Sequence, residues 1–449
     1  MSSSSQVHDV IVVGAGLAGL TAALRLAREG REVLVLERRA QAGGLCGTYT
    51  RDGYEFVIGC NDFGTGMVKH MAELGVPVRF VQRRTRFVLA TETYHVPPTP
   101  GTFLLALKHA PDIVRLVRAM SAKDGAPRYQ YLGEVVEHAL EDSAFADFIA
   151  SLSYAVGLAP SAFALEDIKA ALSKDLGYGY DKPSIPVGGP GALAQAMCTR
   201  LAELGGTLRL STACERIERE GEVKRVVTDQ GTFSARHVIT SQGRWDQYPA
   251  EARPSLAASV LHLAVKRSFA FPEGLHTLTC FPANVAGWLG QLDRGELPGE
   301  FGFHCFPTPD LPHTEYYPIN VYCFLPRGME NPAPDVVERV TRYILERAER
   351  LLPGLSSALL YKSFVSAGEY VRLHGLASTP VPRAGRAGFH KPQAYEPERD
   401  LHHVGNSVLP PGDHAGAAVL SGLQAAQAIL QAPGRTTPPA QPRQVNTTA

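Results

Sequence analysis

The chain has 449 residues, 45% of them apolar and 20% charged, with 44 Lys and Arg against 44 Asp and Glu. That length exceeds one ordinary compact domain and suits two or three, and the charge balance excludes the basic field of a nucleic-acid binder. The seven cysteines (Cys46, Cys60, Cys198, Cys214, Cys280, Cys305, Cys323) are odd in number, scattered and free of any CxxC pair, which argues against a disulfide framework or a metal site and fits a reducing compartment.

The first residues are polar and carry no secretory pattern, and no apolar stretch reaches the roughly 18 to 20 residues of a membrane span. A cytoplasmic protein is expected, with peripheral membrane association as the alternative. Val10-Ile11-Val12-Val13 is a short β-branched run suited to a strand buried on both faces. Residues 14–19 form a turn, residues 20–28 have helical spacing, and Val33-Leu34-Val35-Leu36 is the second strand. A glycine-bounded strand follows at 53–59. Residues 100–175 read as mostly helical, including 103–120 and 132–158. Another helix (192–204) leads to a strand (207–211), a hairpin around Gly221 and a short buried strand (238–241). Residues 256–330 alternate aromatic and polar side chains as antiparallel strands do, and a helix follows at 334–352. Residues 415–430 form a last helix, and the Pro- and Gln-rich stretch 433–449 is expected to be disordered.

Gly14-Ala15-Gly16-Leu17-Ala18-Gly19 matches GxGxxG between a buried strand and a helix. Gly14 permits the tight turn, Gly16 lets the backbone approach a diphosphate, and Gly19 lets helix and strand pack closely. The helix start offers free amides and a positive dipole end to the phosphates. Glu37 stands 18 residues past Gly19, where a carboxylate accepts from both ribose hydroxyls and repels a 2′-phosphate. Gly43-Gly44 soon afterwards is unusual for NAD enzymes and lengthens the cradle.

At these residues the chain resembles the superfamily of FAD-dependent amine oxidases and phytoene desaturases. The resemblance runs through 9–38, Ala42-Gly43-Gly44-Leu45-Cys46-Gly47-Thr48-Tyr49, residues 53–59, 189–217, and Val404-Gly405-Asn406 with Pro410-Pro411-Gly412-Asp413-His414-Ala415-Gly416-Ala417-Ala418. The pieces come in family order, and Gly43-Gly44-Leu45-Cys46 with the Pro-Pro-Gly turn lean toward the phytoene desaturase and retinol saturase branch. The resemblance implies an α/β fold. A Rossmann-like FAD-binding domain would be assembled from residues 1–90, 186–245 and 386–432. An α+β substrate domain with a mixed or antiparallel sheet would come from 91–185 and 246–385. It implies non-covalent FAD, held by the residues of 14–19 and by Glu37, Arg38, Gly43, Gly44, Leu45, Gly59, Cys60, Asn61, Cys214, Gly405, Asn406, Gly416, Ala417 and Ala418. The helix beginning near Ala415 would aim its amides at the flavin N1 and C2 carbonyl.

On the substrate side, His262 stands where monoamine-type relatives carry a lysine near flavin N5; it either manages a proton or is a half-buried strand histidine. Asp413 occupies the place of an aromatic-cage residue, with His414 after it as a further catalytic candidate, and Asp413 either faces the flavin as an anchor or base or caps the helix. Asn61, Asp62 and Phe63 are expected near the flavin edge, and Trp288, Tyr317, Tyr322, Tyr370 and His374 as candidate cavity walls. Residues 103–120 are apolar with interspersed bases and are expected as a core helix, the alternative being a membrane-interface helix. The expected activity is hydride movement between a substrate carbon and flavin N5, on an apolar small molecule or biosynthetic intermediate. The alternatives are an amine or amino-acid oxidase using O2 as acceptor, and a non-catalytic binding protein of the same fold.

Overall fold

The computed structural model describes residues 6–121, 128–250, 252–311, 313, 315–376, 383–384, 389–412 and 414–432. Two large sheets organise these residues. In the first, strand Val7–Val13 pairs in parallel with Val33–Leu36 on one side and Gly231–Thr240 on the other. Thr207–Arg209 and Leu401–His403 extend it, also in parallel, and the antiparallel hairpin of Cys214–Glu220 and Val223–Thr228, with Tyr395–Glu396 antiparallel to Leu401–His403, completes its eight strands. Val10, Val12, Val33 and Val35 pack into one apolar cluster while Ile11, Val13, Leu34 and Leu36 pack into another. Both faces are therefore apolar, and the strands read as unbroken hydrophobic runs for that reason.

Helices Leu17–Arg28, Gly189–Glu203 and Ala415–Gln431 cover the first of those faces. The first and last of them touch backbone to backbone: a Cβ built on Gly422 would lie 2.3 Å from the Ala18 carbonyl oxygen. No rotamer relieves a clash between a Cβ and a carbonyl. Gly422→Val is expected to destabilise the fold by about 2–3 kcal/mol, read as a lowered thermal midpoint.

The second sheet has seven strands in the order Leu359–Val365, Ala258–Lys266, Tyr316–Phe324, Phe303–Pro307, Leu275–Cys280, Arg84–Val88, Thr93–Val96. Every pairing is antiparallel except that of Leu275–Cys280 with Arg84–Val88. Residues 84–90, expected with the nucleotide-binding part, thus begin a hairpin at the edge of this sheet. One face of the sheet packs Leu261, Ile319, Val321 and Cys305 against Val340, Ile344 and Ala348 of helix Pro334–Leu351. The spacing of those three helix residues is one face of a helical turn.

Three expectations are corrected. The helix expected over 103–120 is two helices, Pro100–Lys108 and Ala110–Met120, meeting at His109, whose buried ring bonds Glu92 Oε2 at 2.9 Å. Pro111 has no amide to continue the first helix. Nor is that first helix a core helix, for none of its residues is buried. The helix expected over 132–158 breaks into Leu132–His138 and Ser143–Ser151, because Asp142 caps the second by accepting from Ala144 N (2.9 Å) and Phe145 N (3.1 Å). In the stretch expected to be strands, Asn284 caps a helix, Val285–Asp293. The stretch 433–449 lies outside the described residues.

Candidate active site

Strand Val7–Val13 ends at Gly14, whose φ of +104° and a Cβ position only 2.0 Å from Ser241 Oγ admit glycine alone. A Cβ on Gly19 would lie 2.0 Å from the Gly14 carbonyl oxygen, and one on Gly44 would lie 3.0 Å from Gly16 Cα. Gly16 and Gly43 form a bridge, with Gly43 N donating to Ala15 O at 2.7 Å. The two glycine loops thus lie backbone against backbone. Leu17 and Ala18 are buried in the first turn of a helix that has no side-chain cap and no acidic residue there. Such an end is suited to an anion.

Glu37 is 5% exposed. Its Oε2 accepts from Ala15 N at 2.7 Å and its Oε1 from Arg39 N at 3.0 Å. Arg38, expected at the cofactor, is exposed and donates to the Gly375 carbonyl. Arg39 is the arginine on the Glu37 side. Its Nε is buried without a hydrogen-bond partner among the described residues, 3.8 Å from Glu37 Oε1, and burial lowers its pKa. Thr212 N donates to Glu37 O at 2.8 Å, which carries the half-buried Cys214 past the same end. An uncapped helix start, a glycine-lined cleft and a half-buried guanidinium whose Nε has no hydrogen-bond partner among the described residues together fit a dinucleotide diphosphate.

A second junction forms farther along. Leu45 O accepts from both Gly59 N (2.9 Å) and Cys60 N (3.0 Å), joining the second glycine loop to residues 59–62. Tyr180 is buried near enough to Cys60, Asp62 and Cys46 for their charges to act on it, and its hydroxyl accepts from Gly416 N at 3.3 Å. Both N-terminal segments therefore meet the start of helix Ala415–Gln431 there. His414 caps that helix, Nδ1 accepting from Ala417 N at 3.2 Å, with its ring edge-on to Tyr178 (4.3 Å) and Tyr180 (4.5 Å). His414 was expected to be catalytic and these two amides to be free; instead they have local acceptors, as buried amides do. Ala418 N stays within the helix, bonded to His414 O. Asp413 lies outside the described residues. Lys391 Nζ donates to Asn406 O (2.7 Å) and Gly412 O (2.9 Å), Gly405 N donates to Ser421 Oγ (2.9 Å), and Asn406 Oδ1 is buried with no partner among the described residues.

The face of the seven-stranded sheet opposite its apolar core carries two cross-strand rows: Ser363, His262, Asn320 and Phe306, then Val260, Tyr322, His304 and Thr279. His262 is fully buried, Nε2 lying 2.6 Å from the Tyr49 hydroxyl and Nδ1 2.9 Å from Asn320 Oδ1. Asn320 Nδ2 donates to Val57 O at 2.7 Å, so its oxygen faces the ring. That assigns the proton to Nδ1 and makes Nε2 the acceptor of the Tyr49 proton. Both nitrogens are engaged with protein groups, so the buried-histidine reading of His262 is the one this geometry matches. Tyr322 O–H donates to Ile58 O (3.2 Å) and accepts from Asn61 Nδ2 (3.1 Å), while Tyr370 O–H also donates to Ile58 O. His374 lies edge-on to Tyr49 (4.6 Å) and Tyr370 (4.5 Å).

Asn61, His262, Tyr322, Tyr370 and His374 are thus brought together. Three others are not. Phe63 is fully buried against Phe80, Trp288 packs on Tyr154 and Phe281 with Nε1 donating to Glu300 O at 3.1 Å, and Tyr317 sits in the core beneath the sheet. Beside Asn61 and His276 is a narrow cleft with room for about one water, lined also by Gly189, Pro190, Pro307 and Asp310. Asp62 Oδ1, His276 Nδ1 and His304 Nε2 are buried near this face without partners among the described residues. Tyr49, Asn320, His304 and Tyr180 were not singled out from sequence. Asn320 had a signal, as a lone amide in the otherwise apolar and aromatic strand Tyr316–Phe324.

Burial lowers His262, His304 and His414 to about 3 and His276 and His374 to about 4, and it raises Asp62 to about 7. Below the ordinary histidine value of 6.5 the unfolded chain binds protons that these five buried rings refuse, so stability falls as pH drops. Asp62 acts oppositely, its contribution being present in acid and lost as pH rises through about 7. Five rings outweigh one carboxyl. The thermal midpoint is expected to fall as pH drops from 6.5 toward about 4, and His304→Gln should flatten that slope by up to one proton.

A mostly parallel sheet with a glycine-lined anion cleft, set against a mostly antiparallel sheet, is a fold suited to binding a dinucleotide. The model for flavin containing amine oxidoreductases matches residues 17–430, and the chain belongs to that family. Flavin and oxidoreductase chemistry go with the family. The inactive all-trans-retinol 13,14-reductase of Danio rerio is 63% identical over 51 residues, 11% of this chain; the chain spans only 8% of that relative's length. A putative flavin-containing monoamine oxidase of Mycobacterium tuberculosis is 30% identical over 68% of this chain and 72% of its own. The phytoene dehydrogenase of Streptomyces griseus is 25% identical over 94% and 95%. Among solved structures, an oxidoreductase from Methanosarcina mazei shares the fold with a TM-score of 0.66 at 18% identity, covering 93% of this chain and all of that one. Among the described residues no helix is long and apolar enough to cross a membrane, and no cluster of His, Cys, Asp and Glu could hold a metal ion.

Proposed function

We propose that the chain binds FAD non-covalently and catalyses hydride movement between that flavin and a carbon of an uncharged, largely apolar substrate. The observation that carries the substrate class is the make-up of the inner face, whose two cross-strand rows contain no Asp, Glu, Lys or Arg; burial holds His262, His276 and His304 unprotonated there and raises the neighbouring Asp62 to about 7. An environment that resists charge on its own side chains resists it equally on a ligand. The phytoene dehydrogenase relative, matched along nearly its whole length, lends the reading further support.

FAD supplies the hydride acceptor or donor at its N5 when bound. Glu37 would accept from the ribose hydroxyls, and Arg39 with the amides of 15–18 would meet the diphosphate. The orphan oxygen of Asn406 would meet the ribityl chain, and residues 59–61 with Gly416 and Ala417 would border the ring. Tyr322, Tyr370 and Asn320 hold the 57–61 backbone through its carbonyls, fixing the wall against which substrate must stack. None of the seven cysteines stands in the Ser-Gly-Gly-Cys setting of covalent flavin attachment. The electron acceptor, O2 or another, completes the cycle.

Anaerobic mixing with candidate substrates tests this. A detergent-solubilised isoprenoid polyene is expected to bleach the oxidised flavin band, or to restore it in the dithionite-reduced enzyme. Bleaching by a short primary amine, with no response to polyenes in either direction, would sink the apolar reading and leave an amine oxidase.

A further inference from the structure

Among the described residues, one buried carboxylate oxygen has no hydrogen-bond partner, and it is Oδ1 of Asp62. The other acidic side chains buried in the interior are all engaged. Asp9 accepts from Arg31, Glu37 from the amides of Ala15 and Arg39, and Asp112 from Arg115 and the amides of Glu141 and Asp142. A buried polar oxygen left open has lost its water without gaining a partner, and a reacting group is one reason a fold tolerates that. Asp62 stands where two walls of the candidate site come together. Asn61, just before it, donates to Tyr322 on the inner face of the second sheet. Tyr180, close enough for the Asp62 charge to act on it, accepts from Gly416 N at the start of helix Ala415–Gln431. The residue as a whole is only half-buried, so part of it borders open space.

We propose that the Asp62 carboxyl is the proton group of the hydride reaction, taking a proton from the carbon next to the one that gives up hydride and returning it when the substrate is reduced. The proposal rests on the hydride reaction at an apolar substrate given above. Hydride departure alone would leave a positive carbon, which the uncharged rows of the inner face cannot pair. With a base at hand the step balances. One substrate C–H bond breaks with its electron pair leaving as hydride to the flavin. The C–H bond on the adjacent carbon breaks with its pair becoming the second bond of a C=C, and its proton goes to the carboxylate. The substrate is oxidised and the flavin reduced by the same two electrons; the reverse direction spends the proton of the carboxyl on the C=C. Burial pushes Asp62 up to about 7 against the opposing Phe63 amide, so both of its forms are present near neutrality, as acid–base exchange requires. The groups around it are the thiols of Cys60 and Cys46, the phenol of Tyr180, and the His276 ring, which bonds Asn61 O. Burial holds Cys46, Tyr180 and His276 neutral, and no cation among the described residues acts on Asp62.

Asp62→Asn keeps the shape and one acceptor oxygen but cannot exchange a proton at neutral pH, and it is expected to retain its flavin. On anaerobic mixing with a detergent-solubilised isoprenoid polyene, its limiting rate of flavin bleaching, or of restoration in the reduced enzyme, should fall at least about a hundredfold. The half-saturating polyene concentration should not change. In the wild type, bleaching should speed up and restoration slow down as pH rises through about 7; in the variant neither should respond. Infrared difference spectra, wild type minus variant without substrate, should show a protonated carboxyl band that gives way to carboxylate over the same range. An unchanged limiting rate in the variant, a loss confined to half-saturation, or a missing carboxyl band overturns the proposal and leaves the hydride reaction standing. A wild-type rate that is flat across that pH range overturns it without any variant. No response of the wild type to the polyene in either direction overturns the hydride reading itself, and this proposal with it.

Discussion

Gly19→Val is expected to give a chain that is purified without flavin, or not purified folded at all. The Cβ position at Gly19 is 2.0 Å from the carbonyl oxygen of Gly14 and 3.2 Å from Val12 Cγ1. All three residues belong to the strand–turn–helix unit, so relief requires the helix to move off the strand. That opens the cleft between Gly16 and Gly43 and displaces the helix-start amides from the diphosphate. The packing loss is about 3–5 kcal/mol, a large part of a domain's whole stability. Flavin absorbance per chain and the unfolding midpoint are the two measurements. An unchanged midpoint with a full flavin complement would show that helix and strand do not meet as described.

Glu37→Ala should separate binding from folding more finely. Removing the carboxylate strips Ala15 N and Arg39 N of their acceptor, at about 1–3 kcal/mol for each buried amide left unpaired. It also leaves the Arg39 guanidinium without its neighbouring anion, 3.8 Å away. Affinity for added FAD, measured by flavin fluorescence on the apoprotein, is expected to fall roughly a hundredfold or more. Glu37→Gln keeps one acceptor oxygen and should fall between. If Glu37→Ala destabilised the chain yet bound FAD normally, the carboxylate would be a loop clamp alone.

Much of the nucleotide end was legible because its constraints are local. The strand, the glycines and Glu37 lie within one βαβ unit, where hydrophobic runs and φ > 0 positions leave a mark on neighbouring residues. Arg38 was misread on a point the sequence contained: Glu37 and Arg39 are two residues apart at a strand end and share a side, while Arg38 faces the other way. The inner face of the second sheet was far less legible. His262, Asn320 and Tyr49 become partners only through the register of strands 58 residues apart and through a hairpin from the far end of the chain. No spacing records that. The alternation over 256–330 correctly gave strands, but it could not say that Trp288 sits on a helix behind Asn284. The helices at 100–120 misled for another reason. Apolar composition normally signals burial, and a helix that is apolar yet uncovered has the same composition as a core helix.

The central claim is that the residues from Gly14 to Ala418 together hold one non-covalent FAD. Acid precipitation of the purified protein, followed by chromatography of the supernatant, tests it most directly. The expected result is one equivalent of FAD per chain in the supernatant and a colourless pellet. A yellow pellet would contradict the non-covalent site, FMN in place of FAD would contradict the dinucleotide cleft, and no flavin at all would leave the fold without the chemistry proposed for it.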